Sequence, residues 1–323
     1  MKKKVYPVRT AILSSVCAVL LSGCAGADIS APASASPRST EGPGEEQEQS
    51  PHPVPETETP SQSEGALQDM EVDWSGYFDG RNGAAVVYDP SARKLMSYNS
   101  DLASVRRSPC STFKIISSLI ALENGILEPE NSIRPWSGEI FRNEDWNRDI
   151  SFEEAFRASC VWYFRQLTDE IGSGTMGREL ERLSYGNCDI SDWEGDTDNN
   201  NRALTGFWLE SSLEISPREQ VQVMERIFGE DTVYSEKTLE ELKKVMLVPQ
   251  DGWDGLSIYG KTGTGMTEGA VVDAWFTGFA RDEREGKQLF FCVWLGRTDD
   301  AEVSGAVARK IAIDILSDPA SVG

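Results

Sequence analysis

Ser111 and Lys114 have the residue types and the spacing to do chemistry together. They stand three apart in Pro109-Cys110-Ser111-Thr112-Phe113-Lys114, at the head of an apolar run through Ile115, Ile116, Leu119, Ile120 and Leu122 that stops at Asn124-Gly125. On a helix that spacing puts both side chains on one face with Cβ atoms roughly 5–6 Å apart, within hydrogen-bond reach of a hydroxyl and an amine. A serine hydroxyl is a weak nucleophile until a neighbouring base takes its proton, and the usual base is histidine. The chain has one histidine, His52, in a stretch too polar to fold, so a Ser-His-Asp triad and a His-bearing metal site are both excluded. Lysine can be the base only when uncharged, which means moving its pKa from ~10.4 to near 7, about 4–5 kcal/mol of environment. A helix that is apolar nearly all round is a buried one, and burial shifts an amine in that direction. The alternative is addition of carbon dioxide to the neutral amine, which makes Lys114 a carbamate base. A second Ser-x-x-Lys, Ser91-Ala92-Arg93-Lys94, follows Asp89-Pro90 between two strand-like runs and reads as a turn.

Several elements must position that pair. Pro in the first turn and Gly past the end punctuate the Ser111 helix. Before it, Ala84 to Tyr88 and Leu95 to Tyr98, joined at Asp89-Pro90-Ser91, read as an antiparallel hairpin. Residues 126 to 217 read as mostly helix and loop, with helical apolar spacing from Phe152 to Ile171. Ser216-Pro217 supplies a cap and a first-turn proline for a helix through Val221 to Phe228. Strand-like runs at Gly255 to Thr264, Ala270 to Phe279 and Gln288 to Leu295 precede a terminal helix, Val303 to Leu316. The expected fold is α+β: an antiparallel sheet of five or more strands that the chain leaves and rejoins, flanked by helices, plus an all-helical subdomain. The cleft belongs where the two halves meet.

With 323 residues and 39% hydrophobic content the chain can fill one sizeable core or two small ones, and a net charge of −22 argues against nucleic acid as a partner. Lys2-Lys3-Lys4 and Arg9 precede an apolar stretch, Ala11 to Leu21, too short to span a bilayer, so residues 1–23 read as a signal peptide. Leu21-Ser22-Gly23-Cys24 resembles the lipobox of bacterial lipoproteins, which makes Cys24 the expected lipid attachment and the outer face of a membrane in the bacterial envelope the expected location. The alternative is an ordinary cleaved signal. Residues 24–70, rich in Ser, Pro and Glu, read as a disordered tether of roughly 35–40 Å mean reach. Residues 71–323 are the folded domain. Cys110, Cys160, Cys188 and Cys292 match no zinc spacing and read as small buried thiols, so no metal is expected. Gly255-Leu256-Ser257-Ile258-Tyr259-Gly260-Lys261-Thr262 matches the P-loop pattern by letter, but its interior is strand-like and Gly263, Gly265 and Gly269 forbid a helix after the lysine. No nucleotide is expected. The alternation Asp192, Glu194, Asp196, Asp198, Asn200 lacks the glycine and bidentate glutamate of a calcium loop and reads as solvated.

Together with Ser111-Thr112-Phe113-Lys114, five later segments fall in an order that resembles the class D serine β-lactamases: Ser159-Cys160-Val161, Tyr185-Gly186-Asn187, Phe207-Trp208-Leu209-Glu210, Lys261-Thr262-Gly263 and Trp275-Phe276-Thr277-Gly278. The resemblance implies that Ser111 attacks a lactam carbonyl and that Lys114, as the N6-carboxylated lysine, takes its proton and later activates water. It implies that Trp208 holds the carbamate, that Ser159 passes a proton to the leaving nitrogen, and that Val161 keeps the lysine dry. Backbone N–H groups of Ser111 and Thr264 would form the oxyanion hole, and Lys261, Thr262, Gly263 and Arg309 would hold the substrate carboxylate. Tyr185, Gly186 and Asn187 are expected to be architectural and Trp275 core. Beyond carbon dioxide no cofactor is implied; the implied partners are β-lactam antibiotics. The stretch Asp192 to Leu204 departs from the family in length and in its Asp and Asn content, which bears on substrate range. The alternatives are a transpeptidase or a β-lactam sensor domain, which acylate without turnover, and a non-catalytic surface-binding lipoprotein. Transpeptidases usually carry Asn where this chain has Val161, and a sensor is expected to be fused to a multi-span membrane segment, which is not read here.

Overall fold

The computed structural model describes residues 66–195, 201–249, 255–267 and 269–322. The expected signal peptide, Cys24, His52 and most of the tether lie outside them, as do Asp196, Asp198 and Asn200. In chain order the elements are β1 Gln68–Glu71, α1 Ser75–Phe78, β2 Gly83–Asp89, β3 Lys94–Tyr98, α2 Ser100–Ala103, a 3-10 turn Cys110–Phe113, α3 Lys114–Glu123, α4 Phe152–Arg157, α5 Val161–Ile171, α6 Ser173–Leu183, α7 Pro217–Phe228, α8 Glu236–Met246, β4 Leu256–Thr267, β5 Ala270–Asp282, β6 Lys287–Gly296, α9 Gly305–Ser317 and α10 Pro319–Val322.

The six strands form one sheet in the order β1-β3-β2-β6-β5-β4. All pairs are antiparallel except β1 with β3, where Gln68 to Glu71 lie alongside Lys94 to Ser97. The chain leaves the sheet after β3 and rejoins it at β4, as expected. β1 is the unexpected strand, and it begins inside the stretch assigned to the tether. All four of its residues are exposed and polar or flexible, so no burial pattern marks it; backbone pairing and the Arg218–Asp69 ion pair, 2.5 Å, hold it. The P-loop look-alike runs into β4, paired residue by residue with β5 from Leu256 to Gly265 before a bulge at Gly265/Met266, which is the strand its interior composition required.

The sheet separates two cores. Val87, Phe276, Phe291 and Val293 face α9 through Ala308, Ile311 and Ile315, whereas Val86, Trp275, Phe279 and Cys292 face the helical region. α3 runs through the middle of the second core, its first eight residues, Lys114 to Ala121, all buried. Trp275 is fully buried in the same cluster, as expected of a core residue.

The apolar spacing from Phe152 to Ile171 belongs to two helices rather than one. The chain breaks at Ser159, whose backbone turns left-handed at φ 55°, and α5 restarts at Val161. α7 begins at the expected proline with a full capping box: the Ser216 side chain accepts from Glu219 N and the Glu219 carboxylate accepts from Ser216 N. α8 is not among the expected helices, although Ser235 as cap and Leu239, Leu242, Val245 and Met246 at helical spacing signal it.

Because Leu119 is completely buried in α3, Leu119→Ala should cost about 2–5 kcal/mol through the cavity it leaves. Urea unfolding of the mature chain measures this; a change under about 1 kcal/mol would mean that α3 is not packed in the core as described.

Candidate active site

The nucleophile sits on a constrained turn. Cys110 adopts φ 51°, uncommon for a residue with a Cβ, and its N–H donates to the carbonyl of Trp208 at 3.0 Å. Thr112 Oγ1 donates to Pro109 O at 2.7 Å and accepts from Gln220 Nε2 at 3.0 Å, which ties the turn to α7. On its other side β4 presses against the turn: a Cβ on Gly263 would stand 3.0 Å from Pro109 O and 3.1 Å from the Thr112 methyl. Gly263 therefore admits the close approach of the strand to Ser111.

Lys114 Nζ donates to Ser111 Oγ at 2.9 Å, the contact that the spacing predicts. With the amine neutral, the same contact runs the other way and the hydroxyl becomes the donor. Lys114 is 1% exposed and its Nζ lies 5.3 Å from the ring centre of Phe164. Burial lowers its pKa from 10.5 to about 8. The adjacent thiols give it no counter-charge: burial pushes Cys160 up to about 11 and Cys110 well above its ordinary value, so both are neutral at pH 7. Among the described residues Lys114 has no carboxylate partner.

Lys261, on β4, is buried as well. Its Nζ donates to Thr262 O at 3.0 Å and lies 5.8 Å from the ring centre of Phe156. Burial, and after it the positive charge of Lys114, pushes its pKa well below the ordinary value. Two buried amines thus repel each other across the site, and an anion placed between them relieves both the desolvation and the repulsion.

Ser159 closes the turn between α4 and α5; its N–H donates to Phe156 O at 3.2 Å, and among the described residues its hydroxyl makes no hydrogen bond. Val161 opens α5, one turn ahead of Phe164, so the apolar wall of Lys114 includes a ring that the sequence reading does not name. The spacing of three from Val161 is the signal that marks it.

Trp208 is 1% exposed, stacked on Phe113 at 5.8 Å. Its carbonyl also accepts from Ser108 Oγ at 2.9 Å, but among the described residues its buried indole N–H has no partner. Tyr185 is fully buried edge-on to Phe113 at 5.6 Å. Gly186 has φ 54°, and a Cβ there would stand 1.9 Å from Glu214 O. Asn187 donates to Ser212 O at 2.8 Å and accepts from the N–H groups of Asp189 and Glu214 at 3.1 and 3.0 Å. Gly186 and Asn187 therefore clip one loop to the segment that follows Trp208, and Tyr185 packs against the turn that carries Ser111.

β4 is the terminal strand. Leu247 and Val248 cover its outer edge at Tyr259 and Ile258, and from Gly260 to Thr264 no strand pairs with that edge among the described residues. Farther along, Met266 N donates to Glu210 Oε1 at 3.0 Å, which ties the Trp208 loop to the strand; Glu210 is a further residue that the motifs name without a task. A cleft of about 280 Å³ brings Lys261, Thr262 and Arg309 to common walls with Phe156, Met246 and Phe276. Arg309 is exposed there, and α9 approaches Thr262 at Gly305.

A family model of the penicillin-binding protein transpeptidase domain matches residues 81–317. The chain is 35% identical to a probable β-lactamase, YbxI, of Bacillus subtilis, over 74% of this chain and 81% of that protein. It is 30% identical to the regulatory protein BlaR1 of Bacillus licheniformis over 76% of this chain, but spans only 38% of BlaR1. The crystal structure of a class D β-lactamase from Bacillus subtilis superposes with a TM-score of 0.66 at 30% identity, covering 78% of this chain and 97% of that one.

The depressed Lys114 pKa carries a stability signature. Between about 8 and 10.5 the unfolded lysine keeps its proton while the buried one has lost it, so the unfolded state binds more protons and stability rises with pH across that window. In carbon dioxide-free buffer the stability of wild type relative to Lys114→Met should rise by about 3 kcal/mol between pH 7 and pH 10.5. Urea unfolding across this range measures it; a difference that does not change with pH would mean that the lysine is not desolvated.

Proposed function

The chain belongs to the penicillin-binding protein transpeptidase family and, within it, to the class D β-lactamases, and from that membership we propose that it hydrolyses the amide bond of β-lactam antibiotics through an acyl-enzyme on Ser111. The observation that carries this reading is Ser111 Oγ held 2.9 Å from a lysine amine lowered to about 8 by burial. About a tenth of such an amine is neutral at pH 7, against well under a thousandth of an exposed one.

In the neutral form Lys114 takes the hydroxyl proton as Ser111 Oγ attacks the lactam carbonyl. A positioned base of this kind contributes roughly 10²–10⁴ in rate. Ser111 N–H, without a hydrogen-bond partner among the described residues, and the N–H of Thr264 on the uncovered edge of β4 supply the oxyanion hole. Lys261, Thr262 and Arg309 hold the substrate carboxylate, with Gly263 admitting the close approach; the anion they bind answers the uncompensated charge of Lys261. Ser159 delivers a proton to the leaving nitrogen, and Val161 with Phe164 keeps water from the amine.

Among the described residues the buried indole N–H of Trp208 has no partner and Lys114 has no counter-ion, and a carbamate on Lys114 would answer both. Carbon dioxide added to the neutral amine would supply an anionic general base for both acylation and the hydrolytic water. Cys24 is proposed as the lipid attachment that holds the enzyme on the outer face of a membrane. A second reading, a sensor that acylates without turnover, is favoured by the similarity to BlaR1.

Ser111→Ala should form no adduct with benzylpenicillin by intact mass, and Lys114→Ala should acylate about 10²–10⁴ times more slowly and keep its adduct. Either variant turning over at the wild-type rate would contradict the assignment.

A further inference from the structure

Trp208 is fixed by its faces, because its indole N–H has no partner among the described residues. One of the groups on it is a cation. Arg165 is 2% exposed, and its guanidinium lies 5.6 Å from the ring centre of Trp208 and 5.6 Å from that of Trp193. Arg165 stands on α5, four residues after Val161 and one after Phe164, so the helix that walls Lys114 also carries the cation behind Trp208.

Each of its three nitrogens donates a hydrogen bond. Nη1 donates to Trp193 O at 2.7 Å, Nε to Asp169 Oδ2 at 3.3 Å, and Nη2 to Asp169 Oδ1. Asp169 also accepts from Arg202 Nη2 at 2.9 and 3.0 Å, and Arg202 pairs in turn with Glu194. Trp193 stacks on Phe207 at 5.1 Å, and Phe207 meets Trp208 edge-on at 5.1 Å. Arg202 opens a short 3-10 turn, Arg202–Leu204, from which the chain runs directly to Trp208. Trp193, Glu194 and Arg202 all belong to the stretch whose length and composition depart from the family.

We propose that Arg165, Asp169 and Arg202 are positioning residues that lock the plane of Trp208, so that the acidic loop after Asn187 sets how firmly a carbamate on Lys114 is held. The proposal rests on the carbamate reading given above. The pair is buried only at its Arg165 end, Asp169 being exposed, and an ion pair open to solvent on one side adds little to the stability of a fold. Here it fixes an aromatic ring through a planar cation held by a hydrogen bond at each nitrogen. A cation over the indole face also draws π density and strengthens the N–H as a donor to an anion.

The test is a bicarbonate titration of cephalosporin turnover by the mature chain, with ¹³C-bicarbonate NMR of the carbamate signal, on wild type, Arg165→Lys and Arg202→Gln. Arg165→Lys keeps the charge but loses the fork. Arg202→Gln removes an outer contact from a half-exposed side chain and leaves the Arg165–Asp169 pair in place, so it keeps the test decisive if Arg165→Lys does not fold. The expected result is a half-saturating bicarbonate concentration raised about tenfold in Arg165→Lys and a few-fold in Arg202→Gln, with turnover recovering at high bicarbonate. Folded variants that half-saturate where wild type does, or that lose turnover with an undiminished carbamate signal, overturn the proposal. A wild type with neither bicarbonate response nor carbamate signal overturns the carbamate reading itself, and the positioning role with it.

Discussion

Two lysines are buried in one site with no carboxylate partner among the described residues, and this uncompensated charge is the constraint on which the rest depends. Removing an ammonium group from water is unfavourable unless the group is paired or neutral. Lys114 answers it with a pKa lowered to about 8, which suits the proposed base; in the proposed reading Lys261 answers it by taking an anion. On the proposed function the same desolvation would serve both the activation of Ser111 and the binding of a substrate carboxylate.

The fold exists around that arrangement in a specific sense. α3 brings Lys114 into the core because its following residues are apolar on every side, and the 3-10 turn before it swings Ser111 to the rim. β4, the terminal strand, approaches this turn at Gly263, and among the described residues no strand pairs with its outer edge from Gly260 to Thr264. The Trp208 loop is fastened to both, by Cys110 N–H and Ser108 Oγ on Trp208 O and by Glu210 on Met266 N. Strand, turn and loop share hydrogen bonds, so a shift of one is transmitted to the others.

Much of this was legible in the residues themselves. The five expected strands appear because their runs of Val, Ile, Phe, Tyr and Trp are buried on both faces or alternate, and the P-loop look-alike was resolved by the strand-like character of its interior. Ser111 and Lys114 were legible because spacing on a helix is local. β1 was not, since its exposed residues carry no burial pattern and are held by backbone pairing and by ion-pair and hydrogen-bond partners distant in sequence, and the break at Ser159 was not, since the apolar spacing runs on through a left-handed residue that tertiary packing imposes. Nor was Arg165, whose contacts with Trp193 and Trp208 join stretches distant in sequence. Why Cys110 carries a strained backbone immediately before the nucleophile is explained by its hydrogen bond to Trp208, another contact that only the fold creates.

The most direct measurement is intact mass of the mature wild-type chain during reaction with a chromogenic cephalosporin, with product counted per enzyme molecule. Many products per enzyme, with a transient adduct that maps to Ser111 and disappears as substrate is consumed, is the result expected of a hydrolase whose buried lysine serves both half-reactions. One product per enzyme and an adduct that persists would contradict it, leaving a site that acylates but cannot activate water.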